Sequence, residues 1–126
     1  MVNIDLLIIA IVLVLLDSVY LNLTKEYFSK QIKLVQGKPI ELNMIGVLLC
    51  YTFLIFGFNY FIVQKQQSVI DAFFLGLVIY AVYEFTNYAL LANWSILTVI
   101  MDTLWGGVLF ATTAFIVFKI KKMFHI

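Results

Sequence analysis

Four apolar runs set the terms for this chain: Ile4–Leu23, Leu42–Val63, Val69–Leu91 and Ile96–Phe118. Each is about 20 residues or slightly more, the length an α-helix needs to cross roughly 30 Å of hydrocarbon. A lipid-facing backbone must satisfy its own hydrogen bonds, so helices are the default there. With 64% hydrophobic residues, 12% charged and a mean hydropathy of +1.07, the chain falls in the membrane class. The expectation is all-α: one transmembrane domain over residues 1–126, an integral, multi-pass membrane four-helix bundle, antiparallel and up-down-up-down. The opening MVNIDLLIIA carries Asp5 and no basic residue. It therefore reads as the first span rather than as a secretory leader.

The connections are 24–41, 64–68 and 92–95. The last two are short, which predicts that the spans they join are antiparallel neighbours. In the first, Tyr27, Phe28, Ile32 and Leu34 suit a short helix lying on the interface; an ordinary solvated loop is the alternative. Call the face holding both termini side A and the other side B. Side A has Lys65, Lys119, Lys121 and Lys122, and side B has Lys25, Lys30, Lys33 and Lys38. Lysine counts alone thus give no orientation. The cluster at 119–122, at a membrane exit, favours cytoplasmic termini. Ala72 with Gly76, and Gly107 with Ala111, have the four-residue spacing that lets membrane helices approach closely.

Several function classes drop out. One Cys and one His (Cys50 and His125) leave no disulfide framework and no cysteine or histidine metal cluster. A net charge of +1 does not suit nucleic acid. No Gly-rich phosphate loop is present, and no cofactor or metal is expected.

The informative stretch is YAVYEFTNYALL, residues 80–91, which places Glu84 inside a span. Asp5 and Asp71 sit near helix starts, where the helix dipole favours an anion, and Glu26 and Glu41 are in the first connection. Asp17, Glu84 and Asp102 remain. They lie six or seven residues from the side B ends of their spans, so all three sit roughly 9–10 Å deep, in one layer. The second span offers Tyr51 and Thr52 at similar depth. Tyr80 and Asn87 share the face of Glu84, Tyr20 lies three residues after Asp17, and Thr98 and Trp105 flank Asp102 on its face. A carboxyl in hydrocarbon costs several kcal/mol, so such acids usually face the bundle interior and mark function. At least one of the three is expected to hold a proton near neutral pH. The candidate site is Asp17, Tyr20, Tyr51, Tyr80, Tyr83, Glu84, Asn87, Asp102 and Trp105, converging on a cavity open toward side B.

These residues fall in three motifs: Asp17-Ser18-Val19-Tyr20-Leu21, Tyr83-Glu84-Phe85-Thr86-Asn87 and Asp102-Thr103-Leu104-Trp105-Gly106. Together they resemble the hallmarks of a family of small four-span predicted membrane proteins, catalogued as domain of unknown function 2177. There the motifs look like Asp-x-x-Trp-Leu, Tyr-Asp-Leu-Thr-Asn and Asp-x-x-Trp-Gly. Trp94 also matches a family position, and the resemblance covers nearly the whole chain. This sequence departs by Tyr20 for Trp and Glu84 for Asp, which keep the chemistry and change the reach. The resemblance implies the fold and the acidic layer, and no activity.

Three functions compete. The layer can bind or relay protons or cations; one four-helix chain rarely encloses a pore, so a channel would call for a homo-oligomer. It can bind a lipid-like molecule, or act on one by acid–base isomerisation between a neutral and an ionised carboxyl. Or protonated acids can simply tie the helices together as a structural component among membrane lipids.

Overall fold

The computed structural model describes residues 3–126; residues 1 and 2, at the start of the expected domain, lie outside them. Among the described residues there are five α-helices and no strand: α1 (Asn3–Leu23), α2 (Lys25–Gln36), α3 (Met44–Phe58), α4 (Val69–Leu90) and α5 (Ile96–Met123). A π-helical turn, Asn59–Val63, extends α3. Four helices are long and apolar enough to cross a membrane: α1, α3 with its π turn, α4 and α5.

The ends are fixed by local chemistry. Asn43 and Ser95 cap α3 and α5 by accepting from the backbone N–H of Gly46 and Leu97, both at 3.1 Å. Ser68 and Asp71 form a reciprocal capping box at the start of α4. Gly37, at φ +77°, ends α2 in the left-handed conformation that glycine adopts without penalty. The fourth span runs beyond the expected Phe118 to Met123. The extra turn brings Lys121 Nζ to 2.8 Å from Asp5 Oδ1, so Asp5 is held by an ion pair as well as by its place near a helix start.

The radial pattern inverts that of a water-soluble bundle. Leu15, Phe53 and Val82 are 63%, 70% and 62% exposed, while Glu84 is fully buried. Lipid tolerates the first group, and the second must find partners inside.

The tightest seam joins α4 to α5. A Cβ on Gly76 would lie 2.2 Å from the carbonyl oxygen of Gly106, and one on Gly106 would lie 2.3 Å from the Tyr80 ring. Phe73 covers Gly107 in the same way. The small-residue spacing thus marks a real close approach, although Gly76 meets Gly106 rather than Gly107. Helix α1 packs on α5 and on α3. Side B of α1 meets the start of α5 through Tyr20 and Asp102, while Asp5 meets Lys121 at the other end.

One expectation fails. The short 64–68 connection predicts packed neighbours, yet α3 and α4 barely approach each other along their length. Helix α3 leans on α1 instead, leaving a cleft between α3 and α4.

The first connection forms a helix, and it is more than an interfacial one. Gln31 is buried and bridges α2 to the α4–α5 connection. Its Nε2 donates to the Asn93 carbonyl (2.8 Å), and its Oε1 accepts from Ser95 N–H (3.1 Å) and Thr98 Oγ1 (2.7 Å). The hydroxyls of Tyr27 and Thr98 are 2.7 Å apart. Gln31→Leu should leave Ser95, Thr98 and the Asn93 carbonyl short of partners and cost about 1–3 kcal/mol. Faster proteolysis between Lys25 and Lys33 in the folded variant is the expected readout.

Candidate functional site

Each carboxyl of the layer is held by an aromatic donor from another segment. Asp17 on α1 accepts at Oδ1 from the Trp105 indole of α5 (2.9 Å) and at Oδ2 from the Tyr51 hydroxyl of α3. Asp102 on α5 accepts at Oδ1 from the Tyr20 hydroxyl of α1 (3.1 Å). Glu84 on α4 accepts at Oε1 from the Trp94 indole (2.8 Å). The rings of Tyr20 and Trp105 stack in parallel, centroids 4.5 Å apart, an arrangement that locks both donors in orientation.

The three acids are not equivalent. Both oxygens of Asp17 are occupied, so it joins α1, α3 and α5. Glu84 Oε2 is buried with no hydrogen-bond partner, and the Glu84 carboxyl faces that of Asp102. Two carboxyls in direct hydrogen bond with one another share a proton. Among the described residues, no three acidic, His or Cys side chains are gathered closely enough to hold a metal ion. The carboxyls thus share one layer without meeting at one point.

They share a cavity of about 550 Å³, lined by Asp17, Tyr20, Leu21, Phe28, Ile32, Cys50, Phe53, Leu54, Ile79, Tyr80, Tyr83, Glu84, Trp94 and Asp102. Its lining includes residues of α3 and α4 on the two sides of their cleft, among them the exposed Phe53 and Tyr83. A smaller recess shares Asp17, Leu21, Cys50, Leu54 and Tyr80 with it and reaches Asn43 and Gly46 at the side B end of α3. Phe28 and Ile32 of α2 close the cavity from the side B surface.

Of the sequence candidates, Asp17, Tyr20, Tyr80, Tyr83, Glu84 and Asp102 line the main cavity. Tyr51 lines the recess, and Trp105 acts from behind through Asp17. The expected partners of the acids need correction. Among the described residues Asn87 and the Tyr80 hydroxyl make no hydrogen bond to any of the three carboxyls, and the Tyr80 ring instead covers Gly106. Thr98 turns to Gln31 and Tyr27 rather than to Asp102, and Thr52 bonds its own helix at the Leu48 carbonyl.

The donor to Glu84 comes from outside the spans. The α4–α5 connection turns sharply at Asn93, whose φ of +63° is a conformation Asn tolerates better than most residues. That turn folds Trp94 back into the bundle, 6% exposed. Trp94, Gln31, Phe28 and Ile32 are the site residues that spacing along the spans does not find.

Fold and site together define a helical, multi-pass membrane protein with buried carboxyls in a largely apolar cavity. The chain belongs to the family described as Predicted membrane protein (DUF2177), which matches residues 2–119. Neither a protein of curated function nor a solved structure matches it.

Proposed function

We propose that the chain binds a lipid-like molecule, which enters sideways from the bilayer between α3 and α4 and is held by Glu84 and Asp102. The observation that carries this reading is the cavity itself. An apolar wall interrupted by a few placed polar groups is the usual make-up of a small-molecule site. Exposed Phe53 and Tyr83, each on an apolar span, line the cavity beside Phe28 and Ile32 of α2, which supports entry from the bilayer. The helices cross the membrane up-down-up-down, with the lysines at 119–122 on the cytoplasmic face. A C-terminal alkaline phosphatase fusion is then expected to be inactive; activity would reverse the orientation.

Access is testable with the chain's two tryptophans, Trp94 and Trp105. In a Trp105→Phe variant, Trp94 emission should be strongly quenched by bilayers of brominated-chain phosphatidylcholine, although its indole is buried in the bundle. Alkylating Cys50, the single cysteine, with a dodecyl maleimide should plug the cleft and restore emission. Weak quenching that the plug does not change would remove lateral entry.

A second reading, proton binding or relay, is favoured by the unpartnered Glu84 Oε2 facing Asp102. It predicts proton uptake by reconstituted vesicles that Glu84→Gln abolishes. The fold of that variant should persist, because Gln keeps an acceptor for the Trp94 indole. Uptake unchanged by Glu84→Gln would remove this reading and leave the first.

A further inference from the structure

We infer that the polar end of the bound molecule is an alkylammonium group, seated between Glu84 and Asp102. This rests on the reading of the cavity as a ligand site. The layer holds three carboxyls, and among the described residues the donors that reach them are neutral: the Tyr20 and Tyr51 hydroxyls and the Trp94 and Trp105 indoles. The ion pairs among the described residues are Lys38–Glu41 and Lys121–Asp5, neither of them in the layer. A bound group with a positive charge would neutralise whichever of these carboxyls holds no proton.

Geometry narrows the group. Each oxygen of Asp17 already accepts one protein donor. Glu84 Oε2 is buried and open, and the Asp102 carboxyl, which accepts from Tyr20 at Oδ1, faces Glu84. A ligand between these carboxyls has to donate at least twice. A hydroxyl donates once and carries no charge. An ammonium donates three times and carries the charge the layer lacks, and bonds of this charge-assisted kind are the strong ones. A carboxylate or phosphate would meet like charge with no donor to spare. Cation–π attraction from the surrounding Tyr20, Tyr83 and Trp94 adds to the preference. Beyond the carboxyls the wall is Phe28, Ile32, Phe53, Leu54 and Ile79, which suits an alkyl chain leaving through the cleft.

The test is a titration of the wild-type protein in an uncharged detergent, followed by tryptophan emission. Dodecylamine, dodecanol, dodecanoate and lyso-phosphatidylethanolamine are the probes. A charged hydrogen bond is worth enough for dodecylamine to bind roughly tenfold or more tightly than dodecanol, and dodecanoate should give no saturable change. Glu84→Gln and Asp102→Asn should each weaken dodecylamine and leave dodecanol where it was. If either variant fails to fold, the wild-type series still decides. Equal binding of amine and alcohol would overturn the ammonium and leave the lipid-like site standing. No saturable response to either would remove both. A response to lyso-phosphatidylethanolamine equal to that of dodecylamine would keep the ammonium and assign it to a phospholipid headgroup. A response to dodecylamine alone would assign it to a free long-chain amine.

Discussion

Gly76→Val is expected to prevent recovery of folded, monodisperse protein. The reason is the nature of the neighbour. A Cβ at residue 76 would lie 2.2 Å from the Gly106 carbonyl oxygen and 2.7 Å from Phe110. The first is backbone of a packed helix and cannot swing aside, so α4 and α5 would have to separate. Overpacking a core typically costs about 1–3 kcal/mol. Displacing a whole helix seam should exceed that range, at more than about 3 kcal/mol. The separation would also carry Glu84 away from Asp102, so the site is lost with the seam. Gly57, with nothing within 4 Å of an added Cβ, is the control: Gly57→Val should elute and unfold as the wild type does. Matching behaviour of the two variants in size-exclusion chromatography and thermal unfolding would show that the seam is not where stability resides.

The spans and their number were legible because each follows from a one-dimensional rule. About twenty apolar residues, at about 1.5 Å per residue, reach across hydrocarbon. The caps at Asn43, Ser68 and Ser95 and the glycine after α2 follow from equally local rules. What lay beyond reach was which helix holds which acid. Spacing along one helix nominated Tyr80, Asn87 and Thr98, whereas every bond to the layer comes from another segment: Tyr51 and Trp105 to Asp17, Tyr20 to Asp102, Trp94 to Glu84. Neighbours at i±3 and i±4 share a face, but which side chain reaches across from another helix is set by tertiary packing that spacing along one helix does not encode. The resemblance marked Trp94, but its bond to Glu84 was out of reach, since it sits in a connection and enters the layer where Asn93 turns the chain back.

The cleft between α3 and α4 had no sequence signal either. A five-residue connection constrains where two helices start and end, and leaves open the tilt that separates them further along. The Tyr51–Asp17 bond ties α3 to α1 rather than to α4. The same bond explains why α3, otherwise the least polar wall, belongs to the site at all.

Asp17→Leu should therefore be the most damaging single change in the acidic layer, more so than any substitution of Glu84. The buried carboxyl accepts from two donors on two helices. Leucine has similar bulk and strands both the Tyr51 hydroxyl and the Trp105 indole away from water. An unpartnered buried donor costs about 1–3 kcal/mol in soluble proteins, and interhelical bonds in membranes average nearer 0.6 kcal/mol. A loss of about 2–4 kcal/mol is the expected sum. Asp17→Asn should be far milder, at about 1 kcal/mol or less. Its carbonyl oxygen can serve the indole, which only donates, while the Tyr51 hydroxyl rotates to accept from the amide. Glu84→Gln should be mild for the same reason, because a single donor reaches Glu84. The ordering can be read from thermal unfolding in detergent. In the double variant Asp17→Leu with Tyr51→Phe, the stranded hydroxyl is gone, so its loss should fall short of the two single losses added together. If the losses simply add, the Asp17–Tyr51 bond is not what holds α3 on α1, and the cleft must owe its shape to apolar packing between those two helices.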